Sequence, residues 1–161
     1  MSDCAKNFIL NQLKALAATI TDVNGDPLAI KVMRGSPLAN ALTDDNLPCL
    51  FVVGLDDQLS GAQYFEDEST DWMVGIAYAA KRPQTADRLA DVEALDVALF
   101  EGEARIHNAV QDAEIRPAKV MRWVKTLTSA QNQSLPLGVI MPVFNAGYLQ
   151  DANDQYYGIP T

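Results

Sequence analysis

The sequence predicts an α+β domain in which two or three helices pack on one face of an antiparallel sheet. Three observations lead to this prediction: an amphipathic helical pattern opens the chain, runs of β-forming residues bounded by turn residues follow, and a long stretch with three–four apolar spacing comes between them. At 161 residues, with 48% hydrophobic and 20% charged residues, the chain can bury roughly two thirds of its unfolded surface in one core.

The first third of the chain alternates one helix with two strands. Apolar residues recur at helical spacing from Phe8 to Ile20, which predicts an amphipathic helix. Turn-forming residues fill positions 22–27, so we expect a reversal before a strand from Leu28 to Met33. The run from Pro48 to Leu55 is rich in β-formers and is predicted to be the central strand.

A second strand is predicted from Trp72 to Ala80, joined to the preceding one by a long acidic hairpin over 56–71. From Thr85 the period changes, and we expect one helix, or two helices divided at Gly102. Its apolar face is predicted to comprise Leu89, Val92, Leu95, Leu99, Ile106, Val110 and Ala113.

The last part of the chain is predicted to form two strands. The segment from Pro117 to Thr128 fits a helix or a strand, and we favour the strand. The apolar segment from Leu137 to Tyr148 contains Pro142, which is expected to restrict it to an edge or a bulge because proline lacks an N–H group. Residues 1–150 are therefore predicted to form a single domain, and residues 151–161 a C-terminal arm that packs on a neighbour.

The compartment is predicted from the cysteines and the apolar runs. Cys4 and Cys49 are too few for a disulfide scaffold, which favours a reducing environment. Polar residues interrupt the apolar residues of the N-terminal segment, and this is untypical of a secretory signal. Because no apolar run approaches the ~20 residues of a membrane span, we expect no membrane association.

Charge is distributed unevenly along the chain, whose net charge is −9. Eight carboxylates and no basic residue lie between Asp44 and Asp71, whereas 115–150 holds four basic residues and no acid. Such a chain can dock head to tail on a copy of itself, and contacts of this kind close into rings or continue as filaments. The candidate assembly interface consists of Asp56, Asp57, Glu66, Asp67, Glu68, Asp71, Arg116, Lys119, Arg122 and Lys125.

The sequence contains no recognisable catalytic or cofactor-binding motif. No phosphate-binding loop is present, and the single histidine, His107, has no sequence neighbour that makes it a base or a zinc ligand, so a solvated place on a helix is expected. The acidic residues from Glu66 to Asp71 leave open a site for magnesium or calcium, and the basic residues around Trp123 leave open a nucleic-acid surface. Since like charges in loops are usually solvated, we expect no catalytic, cofactor or metal site and favour docking.

The order of elements resembles the ring-forming tail terminator and tail-completion (neck) proteins of bacteriophages. The resemblance lies in the opening helix, the strand at 47–53, the strand at 72–78, the helix from Thr85 and the closing strand from Leu137 to Tyr148. The tail from Asn153 to Thr161 extends beyond the family's pattern.

This resemblance implies a structural protein of the virion and no enzyme. Its homohexameric ring would cap the tail tube and take part in head–tail joining, after assembly in the host cytoplasm. Its partners would be itself, other tail or neck proteins, and DNA that passes through the lumen without specific binding. An acidic lumen favours such passage because it repels phosphate, and the loops from Asp44 to Asp71 would either line that lumen or dock on the basic residues of the next subunit. The alternatives are a small cytoplasmic metal-dependent hydrolase and a monomeric protein-binding adaptor with an exposed sheet edge near Pro142.

Overall fold

Two helices and a five-stranded sheet make up the fold in a computed structural model, which describes residues 5–35, 44–60, 67–116, 118, 120–128 and 137–151. The elements are α1 (Ala5–Ala17), β1 (Lys31–Arg34), β2 (Cys49–Ser60), β3 (Asp67–Lys81), α2 (Arg88–Asp112), β4 (Val120–Thr128) and β5 (Leu137–Asp151). A single turn of 3-10 helix spans Asp44–Asn46. The predicted α+β class is confirmed.

The strands are ordered β1-β2-β3-β5-β4 across the sheet. The β2–β3, β3–β5 and β5–β4 pairs are antiparallel, whereas β1 runs parallel to β2, with Lys31 opposite Cys49. The expectation that β2 is the central strand is wrong, because β3 occupies the middle. The favoured strand over 117–128 is confirmed as β4.

Pro142 lies in the interior strand β5, so the predicted sheet edge at this residue is wrong. On its β4 side Pro142 is opposite Thr126. On the β3 side, paired residues run as far as Gly75–Val143 and resume at Tyr78–Ile140, so the missing N–H falls where the ladder is interrupted. The sheet edge that the adaptor hypothesis placed at Pro142 is thus provided by the neighbouring strand β4 and not by β5.

Both helices pack on the same face of the sheet. From α1 the residues Ala5, Ile9, Leu13 and Ala17 are buried at four-residue spacing. They meet Leu95, Leu99, Ile106 and Val110 of α2 and the β3 residues Val74, Ile76, Tyr78 and Ala80 in one core cluster. Full burial of each large aliphatic side chain contributes about 1.5–3 kcal/mol to this packing.

The helix α2 is continuous through Gly102, so the predicted division into two helices is not observed. Its start is fixed by Asp87, whose side chain accepts a hydrogen bond from the Ala90 N–H at 3.2 Å. Leu89, which was expected on the buried face, is 70% exposed. It lies on the outer side of the helix with Val97 and Phe100, which are also exposed.

The reversal predicted over 22–27 is confirmed. The Asp22 carboxylate accepts hydrogen bonds from the N–H groups of Asn24 at 2.8 Å and Asp26 at 3.1 Å. Gly25 has a φ of 84°, a left-handed conformation that glycine adopts without steric cost. A bridge between Thr21 and Pro27 closes the turn.

Candidate assembly surfaces

The basic residues of β4 lie on an edge strand of the sheet. Arg122 is opposite Asn145 of β5, and Lys125 is opposite Val143. The register shifts between Trp123 and Lys125, so one extra residue is accommodated there. Because residues three apart in a regular strand point to opposite faces, this bulge is what turns Arg122 and Lys125 to the same face.

That shared face is the one opposite the helices. Trp123 and Thr126 point to the helix side, where they contact α2. Arg122 and Lys125 alternate with them along the strand and therefore point to the other side. Arg122 and Lys125 are both exposed there. Leu127, opposite Met141, is 43% exposed and adds an apolar group to the same surface. We call Arg122, Lys125 and Leu127 the basic edge.

Asn145 lies beneath the basic edge and carries an unusual atom. Its Oδ1 is buried and has no hydrogen-bond partner among the residues that the structure describes. A buried acceptor without a partner costs about 1–3 kcal/mol. Asn145 is directly opposite Arg122, so this unpaired acceptor lies next to the basic edge.

The helix side of β4 is held by a chain of polar contacts. Trp123 Nε1 donates to Thr126 Oγ1 at 3.1 Å, and this hydroxyl donates to Glu103 Oε1 at 3.2 Å. His107 Nε2 lies 3.8 Å from the same carboxylate oxygen. The chain joins the edge strand to α2.

His107 is not the solvated histidine that the sequence predicted. Its side chain is 31% exposed, and its ring lies 5.6 Å from that of Trp123 and 5.5 Å from that of Phe144, centroid to centroid. Aromatic rings at these distances attract each other at tilted and edge-on angles such as these. His107 therefore packs between α2 and the sheet and supports Trp123.

Arg116 is separated from the basic edge. Its backbone N–H donates to Gln12 Oε1 at 3.0 Å, and its carbonyl accepts from Gln12 Nε2, so it is tied to α1. Its side chain pairs with Glu114 at 3.2 Å, an exposed ion pair of the kind that contributes little to stability. Of the four predicted basic residues the structure brings Arg122 and Lys125 together, and Lys119 lies outside the described residues.

The acidic residues occupy the far ends of β2 and β3. The backbone pairs Asp57 with Trp72 and Gln58 with Asp71, and the antiparallel register continues to Ser60–Ser69. Asp67 and Glu68 begin β3 opposite Asp151 and Gln150 of β5, and Glu66 lies outside the described residues. The two strands of the predicted hairpin are thus present before and after the segment 61–66. They bring two acidic stretches to one end of the sheet. We call 55–60 with 67–71 the acidic hairpin.

The structure also bears on the metal site, the cysteines and the membrane spans considered from the sequence. Where the structure describes the chain, no three carboxylate, histidine or cysteine side chains are grouped as a metal would require. Cys49 is a free, buried thiol. Among the described residues no helix has the length and apolar character needed to cross a bilayer.

Sequence reasoning missed one surface. Leu89, Val97 and Phe100 are exposed apolar residues on the outer side of α2, with exposures of 70%, 65% and 61%. The acids Glu93 and Asp96 lie between Leu89 and Val97 along the helix, so this surface is mixed in character. The spacing of the three apolar residues, eight and three, was the available signal, but it was masked by the stronger apolar pattern of the buried face.

Comparisons with known proteins give little beyond this geometry. No protein-family model matches the sequence, and no curated protein matches it. Among solved structures, a chain from the virion of a native gene transfer agent (GTA) particle superposes with a TM-score of 0.47 and 13% sequence identity, over 91% of this chain and 96% of that chain. A likeness this distant establishes neither a shared fold nor a shared role.

Proposed function

We propose that this protein is a structural component of a phage-type virion that assembles with copies of itself into a ring, in which the basic edge of one copy docks on the acidic hairpin of the next. The ring, most simply a hexamer, would cap the tail tube and take part in head–tail joining. This role is supported by the resemblance in element order on which the sequence prediction rested.

The observation that carries the proposal is the bulge in β4. It places Arg122 and Lys125 on one face of an edge strand, whereas the acidic residues belong to the far ends of two other strands. No basic residue lies in 55–71 to neutralise that end. Two complementary surfaces at different places on one chain favour a heterologous contact, which closes into a ring when the rotation between copies permits.

The proposal also assigns a role to the C-terminal residues. We propose that residues 1–150 act as one domain and that the segment beginning at Asp151 reaches a neighbouring copy. Asp151 ends β5 opposite Asp67, so this segment leaves the sheet beside the acidic hairpin. Residues 152–161 lie outside the described residues.

Charge reversal tests the docking directly. The variant Arg122→Glu with Lys125→Glu is expected to weaken self-association by about tenfold or more, because two attractive contacts become repulsive. The matched control is Lys14→Glu with Arg88→Glu, which changes the net charge equally at exposed positions on the two helices. Light scattering on a sizing column would report the mass of each variant.

A swap separates docking from a general charge effect. Adding Asp67→Lys and Glu68→Lys to the reversed β4 variant exchanges the two signs, and association should return. Association that survives the β4 reversal unchanged, or that the control weakens equally, would contradict the docking. Charged residues on an edge strand also discourage unwanted strand pairing, and this simpler explanation predicts no effect of the reversal because glutamate is charged as well.

A further inference from the structure

A small cavity lies between the 22–28 turn and α2, on the helix side of the sheet. It has a volume of about 230 Å³. Part of its wall is apolar, formed by Val23, Leu28, Pro48 and Ala98. Its polar groups come from three separate parts of the chain, namely Asp22 and Asn24 of the turn, Tyr78 of β3 and Glu101 of α2.

Tyr78 is the buried polar group of this cavity. Its side chain belongs to a residue only 6% exposed, and it lines the cavity. Among the described residues no group forms a hydrogen bond with its hydroxyl. The hydroxyl is not itself fully buried, so it is available to an occupant of the cavity.

Each of the two carboxylates has one oxygen already engaged and one left over. Asp22 Oδ1 accepts the Asn24 and Asp26 N–H groups, and Glu101 Oε1 accepts the Val23 N–H at 3.2 Å. The second oxygens, Asp22 Oδ2 and Glu101 Oε2, have no hydrogen-bond partner in the described parts of the chain. The hydrogen bonds of the turn therefore use one oxygen of each carboxylate, and the other oxygen of each remains able to accept a hydrogen bond.

The electrostatics of the cavity are negative. Burial raises the pKa of the Tyr78 hydroxyl above its ordinary value of 10.0, and the charges of Glu101 and then Asp22 raise it further, with a smaller effect from Cys49. All three groups line the same cavity. With the phenol neutral, the cavity holds two negative charges and no cation.

We propose that this cavity binds a primary ammonium group on an alkyl stem, as presented by a lysine side chain. An ammonium has three N–H donors and no acceptor, which matches the two unused carboxylate oxygens and the Tyr78 hydroxyl oxygen. The stem of a lysine is apolar and packs well on walls such as Val23 and Leu28 while its charged end is bound. The inference does not depend on the ring, since it concerns a cavity within one chain.

The site is tested on the full-length protein with a probe of defined chemistry. N-acetyl-lysine methylamide is titrated while the backbone amide signals of Val23 and Glu101 are followed by NMR. Saturable shifts at millimolar concentration are expected, and N-acetyl-norleucine methylamide, which lacks the charge, should give none. Equal shifts with both probes, or no shift with either, would overturn the proposal.

Two variants localise the binding. Glu101→Gln should raise the dissociation constant of the lysine probe at least fivefold, as should Tyr78→Phe, which removes the hydroxyl and keeps the ring. Glu93→Gln is the matched control, because Glu93 is an exposed acid of the same helix outside the cavity. Unchanged binding in both Glu101→Gln and Tyr78→Phe would contradict the site.

A further variant identifies the source of the ammonium group. If a neighbouring copy supplies it, then Glu101→Lys should abolish probe binding and also weaken self-association. If Glu101→Lys leaves association unchanged while it abolishes probe binding, the occupant is a free alkylamine or a lysine of another protein. A failure of the probe titration would leave the charge reversals at Arg122 and Lys125 as a separate test of the ring.

Discussion

Gly102 of α2 lies directly against the ring of Tyr78 in β3. A Cβ atom at position 102 would lie 2.4 Å from Cδ1 of Tyr78, closer than a side chain can approach a buried ring. This contact explains the glycine in the middle of a long helix, where glycine costs about 1 kcal/mol relative to alanine. It also sets how closely α2 approaches the sheet and hence the depth of the cavity that Tyr78 lines.

Gly102→Ala should destabilise the protein although alanine is the better helix former. The added methyl group must displace either α2 or the Tyr78 ring, and overpacking of this kind costs about 1–3 kcal/mol. Urea unfolding followed by circular dichroism would measure the change. Asn108→Ala, at an exposed position of the same helix, is the control and should change the free energy of unfolding by about 0.5 kcal/mol or less. A Gly102→Ala variant as stable as the parent would refute the contact.

Asp91 is the buried charged residue of α2, at 6% exposure, and it organises the start of the helix. Its Oδ2 accepts the Thr85 N–H at 2.8 Å, and its Oδ1 accepts the Thr85 hydroxyl at 2.6 Å. Asp91→Ala removes two hydrogen bonds to a charged acceptor and should cost about 1.5–3 kcal/mol. Thermal unfolding of Asp91→Ala beside Glu93→Ala, an exposed acid on the same helix, would measure this cost. Equal melting temperatures for the two variants would be incompatible with the role given to Asp91.

Stability should fall at high pH. Burial raises the pKa of the Cys49 thiol above 9.0, an effect that the Lys31 charge partly offsets, and burial and nearby carboxylates raise the pKa of Tyr78 above 10.0. The folded state therefore holds these protons more tightly than the unfolded state does. Their contribution to stability is fully present below the unfolded pKa values and is lost as the pH rises through the folded values.

Melting temperatures between pH 8 and pH 11 would test this linkage, because the window starts below the ordinary thiol value of 9.0 and ends above the phenol value of 10.0. Combining Cys49→Ala with Tyr78→Phe should flatten the decline. The parent and the double variant share the same repulsion among surface charges, so only the difference between their slopes is assigned to these two groups. Identical slopes would show that neither group contributes.

The polar chain from Trp123 through Thr126 to Glu103 should hold the basic edge in place. Thr126→Val removes the hydroxyl that links the other two and should cost about 0.5–1.5 kcal/mol. The freed indole should give a red-shifted tryptophan emission. Thr128→Val, at an exposed position of the same strand, is the matched control and should leave the emission unchanged. An unshifted Thr126→Val spectrum would contradict the chain.

The elements of the fold could be predicted from local pattern, because the alternation of apolar and polar residues is repeated within each segment. The turn over 22–27 and the helical spacing of Ile9 and Leu13 are of this kind. Which strands become neighbours depends on contacts between distant segments. The parallel pairing of β1 with β2 and the insertion of β5 between β3 and β4 therefore had no local signal.

The candidate surfaces, too, could be predicted only in part from local pattern. The basic residues were evident in the sequence, but only the register shift beside Trp123 shows that Arg122 and Lys125 share a face while Arg116 does not join them. Likewise, Gly102 could be taken for the end of a helix until its contact with Tyr78 was seen. Such features are produced by long-range packing, which a single sequence does not display.

Native mass spectrometry of the purified protein across a range of salt tests the central claim most directly. Between roughly 0.01 M and 1 M salt the screening length falls from about 30 Å to about 3 Å, so contacts between the basic edge and the acidic hairpin should weaken steadily. The account predicts a closed oligomer of discrete mass at low salt, most simply six copies, which dissociates as salt is added. A protein that is monomeric at every salt concentration, or an oligomer indifferent to salt, would contradict it.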